Sequence, residues 1–548
     1  MKPIATYQKL RGGYYTPKPI ADFLGRWAIQ ASVAEVLEPS CGDGIVLQAA
    51  AEALIERGAG AQEVADCLHG VEFDRQEAQK AVDRLRVLDV PSVPDQIHTG
   101  DFFTYCKSQL ANKRQFDAVI GNPPFIRYQN FPEDQRVTAF GLMARVGLKP
   151  NRLTNSWVPF LVASSLLLKP HGRLAMVIPA ELLQVNYAAQ LRRFLSEYYS
   201  NITLITFKKL VFEGIQQEIV LLLGERNGDE HTGIRTIELD GVADLAAYEH
   251  TEFSTDNLKP MYHSTEKWTQ YFLDQPEIEL LRTLRYHPNL TTAGDVIDVD
   301  VGIVTGLNEF FVLTEQQIKQ HSLEAHTQPI VGRSGHIQGV IFAESDWANN
   351  VEKQLPAFLL AFPDLPFDRL PKPVQDYVAS GEQRQFHTGY KCRIRNRWYI
   401  LPSIWAPDAF MLRQIHHYPR IIVNQAQATS TDTIHRVRLR NGTKVEVIAL
   451  GFLNSLTFAF SEVIGRSYGG GVLELEPNEA ELLPLPLKGA DQLDLDHINQ
   501  LLLSNQIDAV LDITDRVLLV DGAGLTMKEA MSLRGIWKKL RDRRVNRK

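Results

Sequence analysis

Cysteine is scarce in this chain of 548 residues, with four in all, and Cys41, Cys67, Cys106 and Cys392 lie far apart with no Cys-x-x-Cys spacing. That scarcity excludes a disulfide framework and a structural zinc site, and no metal is expected. Long apolar runs are also missing. The longest, Val158 to Leu168, is interrupted by Ser164 and Ser165 and falls short of the ~20 residues a spanning helix needs. The N-terminus sets Lys2, Lys9 and Arg11 among polar residues and lacks the apolar stretch of a secretory signal, so a cytoplasmic protein without a membrane partner is expected. An overall excess of positive charge is absent too, the net charge being −7, which excludes a polycation that binds nucleic acid along its whole length. Neither a Gly-x-Gly-x-x-Gly fingerprint nor a phosphate-binding Gly-Lys-Ser/Thr loop is present, and no Pro-Asp…Glu-x-Lys nuclease constellation is found.

What is present is a rhythm. Over the first 225 residues short apolar runs alternate with amphipathic stretches, the pattern of repeated βα units. Strands are predicted near Glu35–Glu38, Leu68–Phe73, Gln96–Asp101, Phe116–Ile120, Arg173–Pro179, Ile202–Phe207 and Glu218–Leu223, with one more at Ile234–Leu239. Helices are predicted over Val46–Glu56, Arg75–Val87, Trp157–Leu168 and Ala188–Tyr199. The fold class is therefore α/β, with a doubly wound, mostly parallel sheet over residues 1–260. A mixed α+β unit richer in Pro, Gly and aromatics comes next over 261–490, then a helical segment with a basic tail over 491–548. Between Gly381 and Lys444 eleven Lys or Arg stand against three Asp or Glu, so positive charge gathers in the second half.

Chemistry concentrates at the predicted strand ends. Glu38-Pro39-Ser40-Cys41-Gly42-Asp43-Gly44 comes after the first strand and opens a helix, with glycines where a backbone must approach a ligand. The acid Glu38 would repel a phosphate and suits an ammonium or hydroxyls. Glu72 ends the second strand, where a carboxylate accepts from ribose hydroxyls, and Asp101-Phe102 ends the third with an acceptor beside an apolar wall. Asn122-Pro123-Pro124-Phe125 comes after the fourth. An exocyclic amine on a nucleobase is a poor nucleophile because its lone pair is delocalised into the ring. The Asn122 amide oxygen and the Pro123 carbonyl can each accept one N–H of such an amine, the prolines hold those acceptors rigid, and Phe125 offers a face for the base.

With these motifs in this order the chain resembles the S-adenosylmethionine-dependent amino-methyltransferases of DNA, specifically the Taq-like (gamma-class) adenine-N6 family of type II restriction–modification systems. The resemblance implies a Rossmann-like methyltransferase sheet, S-adenosyl-L-methionine as cofactor, and a C-terminal target-recognition domain. It implies that Tyr14-Tyr15-Thr16-Pro17 closes over the methionine moiety. Tyr15, Thr16, Glu38, Pro39, Ser40, Cys41, Gly42, Gly44, Glu72, Asp101 and Phe102 then hold the cofactor, and Asn122, Pro123, Pro124 and Phe125 are catalytic. Phe212 stands where the family has a second aromatic against the flipped base, although Glu213-Gly214-Ile215-Gln216 departs from the commonest pattern. Gly302 to Phe311 resembles a stretch near the start of the recognition domain, and Lys391, Arg393, Arg395, Arg397 and Trp398 are candidates for DNA contact. The expected partners are double-stranded DNA and a separate cognate restriction endonuclease acting on the same site.

The motif chemistry by itself leaves other substrates open. Cytosine N4, an RNA adenine and a protein glutamine present similar planar amines or amides, and a DNA-recognition subunit with a degenerate methylase domain belongs to another class. Methyl transfer to DNA against transfer to RNA or a release-factor protein separates these, and cofactor binding without any transfer marks the last.

Overall fold

In a computed structural model, residues 15–91, 93–212, 218–226, 233–248, 253, 258–261, 266–468 and 470–547 are described. Two compact units emerge, the first comprising 1–275 with 546–548 and the second 276–545.

The first unit is built on eight strands: β1 (Val36–Glu38), β2 (Leu68–Glu72), β3 (Ile97–Thr99), β4 (Phe116–Gly121), β5 (Leu168–Pro179), β6 (Asn201–Phe207), β7 (Ile219–Glu225) and β8 (Gly233–Leu239). Their spatial order is β3-β2-β1-β4-β5-β7-β6-β8. All neighbouring pairs are parallel except those of β7, which runs antiparallel to both β5 and β6. Each strand that carries a predicted site residue therefore ends on the same edge. The Leu174–Pro179 part of β5, β6 from Ile202 and β7 from Ile219 to Gly224 are buried throughout, as expected of a sheet covered on both faces.

The helices arise from local signals. In α1 (Lys18–Ala28) a proline sits in the first turn, and the buried Ile20, Phe23, Leu24 and Trp27 recur at helical spacing. Helix α2 (Ile45–Glu56) starts straight from the Gly44 turn. Asp74 caps α3 (Arg75–Arg86), its Oδ1 accepting from the Gln76 and Glu77 N–H groups, and Ala78, Ala81, Val82 and Leu85 form its buried face. Helix α4 (Phe102–Ala111) is capped by Asp101, and α5 (Trp157–Leu166) is apolar on almost every side and buried.

The division between units falls at 275, later than the expected 260. Thr236 Oγ1 and Lys259 Nζ both donate to the Tyr271 carbonyl, so the stretch through Tyr271 is fastened to β8 and belongs with the first core. The expected separate segment from 491 is instead part of the second unit. Its last helix, α6 (Met527–Val545), packs along the helix Ser455–Ile464, where the buried pair Arg544–Glu462 joins them at 2.7 Å. The second unit contains a five-stranded and a four-stranded sheet made of strands of two to six residues. Among the described residues no single helix is long and apolar enough to cross a membrane.

Candidate active site

The loop after β1 is folded around its own backbone. Cys41 N–H donates to the Val71 carbonyl at 2.9 Å and Gly44 N–H to the Cys41 carbonyl at 2.8 Å, which pins the loop beside β2. Gly44 has φ +82°, and a Cβ there would lie 2.6 Å from Ala81 Cα, so helix α3 leaves room only for glycine. Asp43 does not face a ligand. Its Oδ2 is 2.6 Å from Arg84 Nη2, tying the loop to α3. Over Gly42 a Cβ would meet nothing within 4 Å, so the backbone on that side borders open space.

Glu38 is 2% exposed, and its Oε2 has no hydrogen-bond partner among the described residues. Burial first, then the Asp43 and Glu72 carboxylates, push it well above the ordinary carboxylate range. A buried acid with an unmet oxygen is costly to ionise, a cost that a proton or a neighbouring cation would offset. Glu72 is oriented differently. Its Oε2 accepts from Gly42 N–H at 2.9 Å and its Oε1 from Asp74 N–H at 2.8 Å, yet burial raises it as well. Each of its oxygens keeps a second lone pair, so the two backbone bonds aim the carboxylate without exhausting it. Burial likewise pushes the Cys41 thiol well up, which makes it a packing residue.

Asp101 serves as the cap of α4, accepting on Oδ2 from Thr104 N–H and Thr104 Oγ1, each at 2.8 Å. Phe102 is buried and stacks on Phe160 with ring centroids 5.1 Å apart. At the end of β4, a Cβ on Gly121 would lie 3.3 Å from Glu38 Cγ, so the Glu38 side chain passes directly beside the start of the Asn122 turn. The Asn122 Nδ2 donates to Thr16 Oγ1 at 3.2 Å, joining the segment ahead of α1 to the turn. Tyr15 is half-exposed, its hydroxyl donating to Glu77 Oε2 at 3.2 Å, and Tyr14 lies outside the described residues.

Beyond the turn, Phe125 is half-buried and packs on the same apolar cluster as Phe212, which sits in the connection from β6 to β7. Residues Glu213 to Gln216 lie outside the described residues. The sequence reading missed Asn155 and Ser156. Ser156 Oγ donates to the Pro124 carbonyl at 2.5 Å and accepts from Ile126 N–H at 2.9 Å, while Asn155 Oδ1 accepts from Tyr128 N–H at 3.3 Å. A Ser just before an apolar helix looks like a cap, so no local signal points to partners thirty residues upstream.

In the second unit the candidate basic stretch divides. Arg395 turns inward, its Nη2 donating to the Val304 and Thr305 carbonyls at 2.9 and 2.7 Å. Arg397 pairs with Asp364, and Trp398 packs on Phe310 while donating to Glu382 Oε1 at 3.0 Å. These three hold the fold of the Gly302–Phe311 stretch and its surroundings. Lys391 and Arg393 remain exposed, with no carboxylate partner among the described residues, beside exposed Tyr390 (65%) and Ile394 (58%). The basic tail is similarly committed, Lys538 pairing with Asp508, Lys539 with Glu277 and Arg547 with Glu218.

Comparison with known proteins agrees with this geometry. The family model "N-6 DNA Methylase" matches residues 2–286, and the C-terminal domain model of the type II methyltransferase M.Eco57I matches 265–519. The type II methyltransferase M.AccI of Acinetobacter calcoaceticus is 22% identical over 86% of this chain and 85% of its own length. M.XamI of Xanthomonas campestris pv. amaranthicola is 23% identical over 87% and 85%. The type IIL restriction-modification enzyme MmeI, solved in complex with DNA, shares the fold with a TM-score of 0.57 at 12% identity, covering 96% of this chain and 75% of that one. A mostly parallel sheet with its acids and an Asn-Pro-Pro-Phe turn on one edge, and a family match across more than half of the chain, lead to one conclusion: the chain belongs to the N-6 DNA methylase family.

Proposed function

We propose that this protein is a type II, gamma-class DNA adenine methyltransferase that modifies N6 of adenine in double-stranded DNA within one short sequence and so shields that sequence from a cognate restriction endonuclease. The observation that carries the reading is the convergence of Glu38, Glu72, Asp101 and Asn122 on one edge of one sheet, with Glu38 running alongside the first residue of the turn. The residues fit S-adenosyl-L-methionine. Glu38 has the unmet buried oxygen that an ammonium requires, Glu72 is a pre-aimed acceptor for ribose hydroxyls, and the Gly42 side of the loop is open. When bound, the cofactor supplies a methyl group on a positively charged sulfur.

The chain's own residues do the positioning. Thr16 accepts from the Asn122 Nδ2, so the other end of that amide is the acceptor Oδ1. In our reading Asn122 Oδ1 and the Pro123 carbonyl accept the two N–H groups of the adenine amine, which localises its lone pair along the line of transfer. Phe125 stacks on the flipped base, worth about 1–3 kcal/mol against an extrusion cost of a few kcal/mol. Exposed Lys391 and Arg393, beside Tyr390 and Ile394, are the DNA-contact candidates of the stretch.

The test is single-molecule sequencing of DNA from a methylation-free host expressing the chain, with Asn122→Ala as control. N6-methyladenine in a single context, absent from the control, is the expected result. Methylation on cytosine, or none with soluble protein, would overturn the reading.

A further inference from the structure

The tetrapeptide Asn122–Phe125 contains two prolines and so lacks two of the N–H groups by which a turn is usually held. Its rigidity beyond Pro124 must come from its carbonyls and from bonds made to residues distant in sequence. One side chain supplies this. Ser156 is 0% exposed, and its Oγ donates to the carbonyl of Pro124 (2.5 Å) while accepting from the N–H of Ile126 (2.9 Å). Those two groups belong to the peptide units immediately before and after Phe125. The Ser156 main chain adds a third bond, its N–H donating to the Ile126 carbonyl at 2.9 Å. Next to it, Asn155 accepts from Tyr128 N–H and donates to the Tyr187 hydroxyl at 3.2 Å, and Tyr187 donates in turn to Glu181 Oε2, just past the end of β5. The clamp is therefore tied to the short helical turns that directly follow β5.

We propose that Ser156 is a positioning residue for methyl transfer, gripping both peptide units that flank Phe125 and thereby fixing the direction in which that ring meets the target base. The inference rests on the function proposed above, in which Phe125 stacks on the flipped adenine. Because both torsions of Phe125 are bounded by groups held on one hydroxyl, removing the hydroxyl frees the ring without touching any group that holds the cofactor. A displacement of ~1 Å at a reacting group costs on the order of 100-fold in rate, so Ser156→Ala should lower kcat about 10- to 100-fold. The cofactor Kd should stay within about twofold of the wild type, since Glu38, Gly42 and Glu72 are unaltered.

The experiment uses the full chain, unmethylated plasmid DNA and labelled methyl donor, and measures kcat, KM for DNA and cofactor Kd for wild type, Ser156→Ala, Ser156→Thr, Phe125→Ala and the Ser156→Ala/Phe125→Ala pair. Two results support the proposal: Ser156→Thr, which keeps the hydroxyl, retains most of the rate lost in Ser156→Ala, and Ser156→Ala has no further effect once Phe125 is alanine. A merely structural serine would give additive losses and a changed cofactor Kd, and that outcome would overturn it. Should Ser156→Ala fail to fold, Ser156→Cys, near-isosteric with a weaker donor, carries the same comparison. Wild-type protein that transfers no methyl group to DNA refutes the functional reading. Wild-type activity with an unimpaired Ser156→Ala refutes only the positioning role.

Discussion

Replacing Glu38 by glutamine should make the ligand-free protein more stable and the cofactor bind more weakly, two effects of opposite sign from one atom. In the ligand-free protein the carboxylate is buried, one oxygen is unmet, and two further carboxylates lie nearby. An unmet buried polar group costs about 1–3 kcal/mol, and removing the charge should recover ~1 kcal/mol of that. For a domain of this size the gain corresponds to a rise in Tm of about 2–4 °C. The cofactor's cation then loses a charge-assisted hydrogen bond worth about 1.5–3 kcal/mol, a weakening of roughly 10- to 100-fold. The raised acid also sets the sign of the pH dependence. Below the ordinary carboxylate range both folded and unfolded states hold the proton and the burial penalty vanishes. As pH rises through that range the unfolded chain ionises first, so wild-type stability falls relative to the variant until the raised folded value is passed. Thermal melts of both proteins at pH 8 and near pH 4, with calorimetric titration of S-adenosyl-L-methionine at pH 8, read all three quantities. A variant that melts lower than wild type at pH 8 and binds the cofactor equally well would refute the argument.

The same geometry sets other outcomes. Asn122→Ala should leave cofactor affinity within a few fold while lowering labelled-methyl transfer by about 100- to 1,000-fold, the size of a lost amide in a polarising site. Gly44→Ala forces a Cβ to 2.6 Å from Ala81 Cα at φ +82°, and should destabilise the first unit by about 2–4 kcal/mol in a denaturant melt. Lys391→Ala combined with Arg393→Ala should weaken DNA binding uniformly across sequences and reduce the slope of log K against log salt by about 2 in a filter-binding assay. Arg395→Ala should instead lower the melting temperature of the second unit, because the Val304 and Thr305 carbonyls lose their donor.

The first unit was readable from its sequence because its strands are short apolar runs set between amphipathic helices. All eight predicted strands are present, most within two residues of the expected limits, with β5 starting earlier at Leu168. The same physics explains what was missed. Helix α4 begins Phe-Phe-Thr-Tyr and has little polar contrast between its faces, so no helical period stands out. In the second unit, strands of two or three residues are too short to show an alternation. The spacing of Lys391, Arg393, Arg395 and Arg397 reads as one charged stripe, but the chain there forms a single helical turn, Tyr390–Arg393, and then irregular backbone. The cations consequently make different contacts, and the docking of Arg395 on backbone carbonyls is a tertiary outcome. Ser156 was invisible for a similar reason, since its two partners are defined only once the β4 turn and the start of α5 are brought together.

The reversed strand β7 has an architectural consequence of its own. Had β7 run parallel to its neighbours, the chain leaving β6 would have crossed to the opposite edge of the sheet before entering it, and the β6–β7 connection would carry a rear-side helix. Running antiparallel, β7 starts where β6 finishes, with Thr206 opposite Val220 and Pro179 of β5 opposite Ile219. A hairpin link can lengthen, shorten or change its side chains without disturbing either strand's register. The connection that leaves β6 and carries Phe212 therefore opens at the same rim as Asn122, while the acids on β1 and β2 lie on strands whose registers it does not enter.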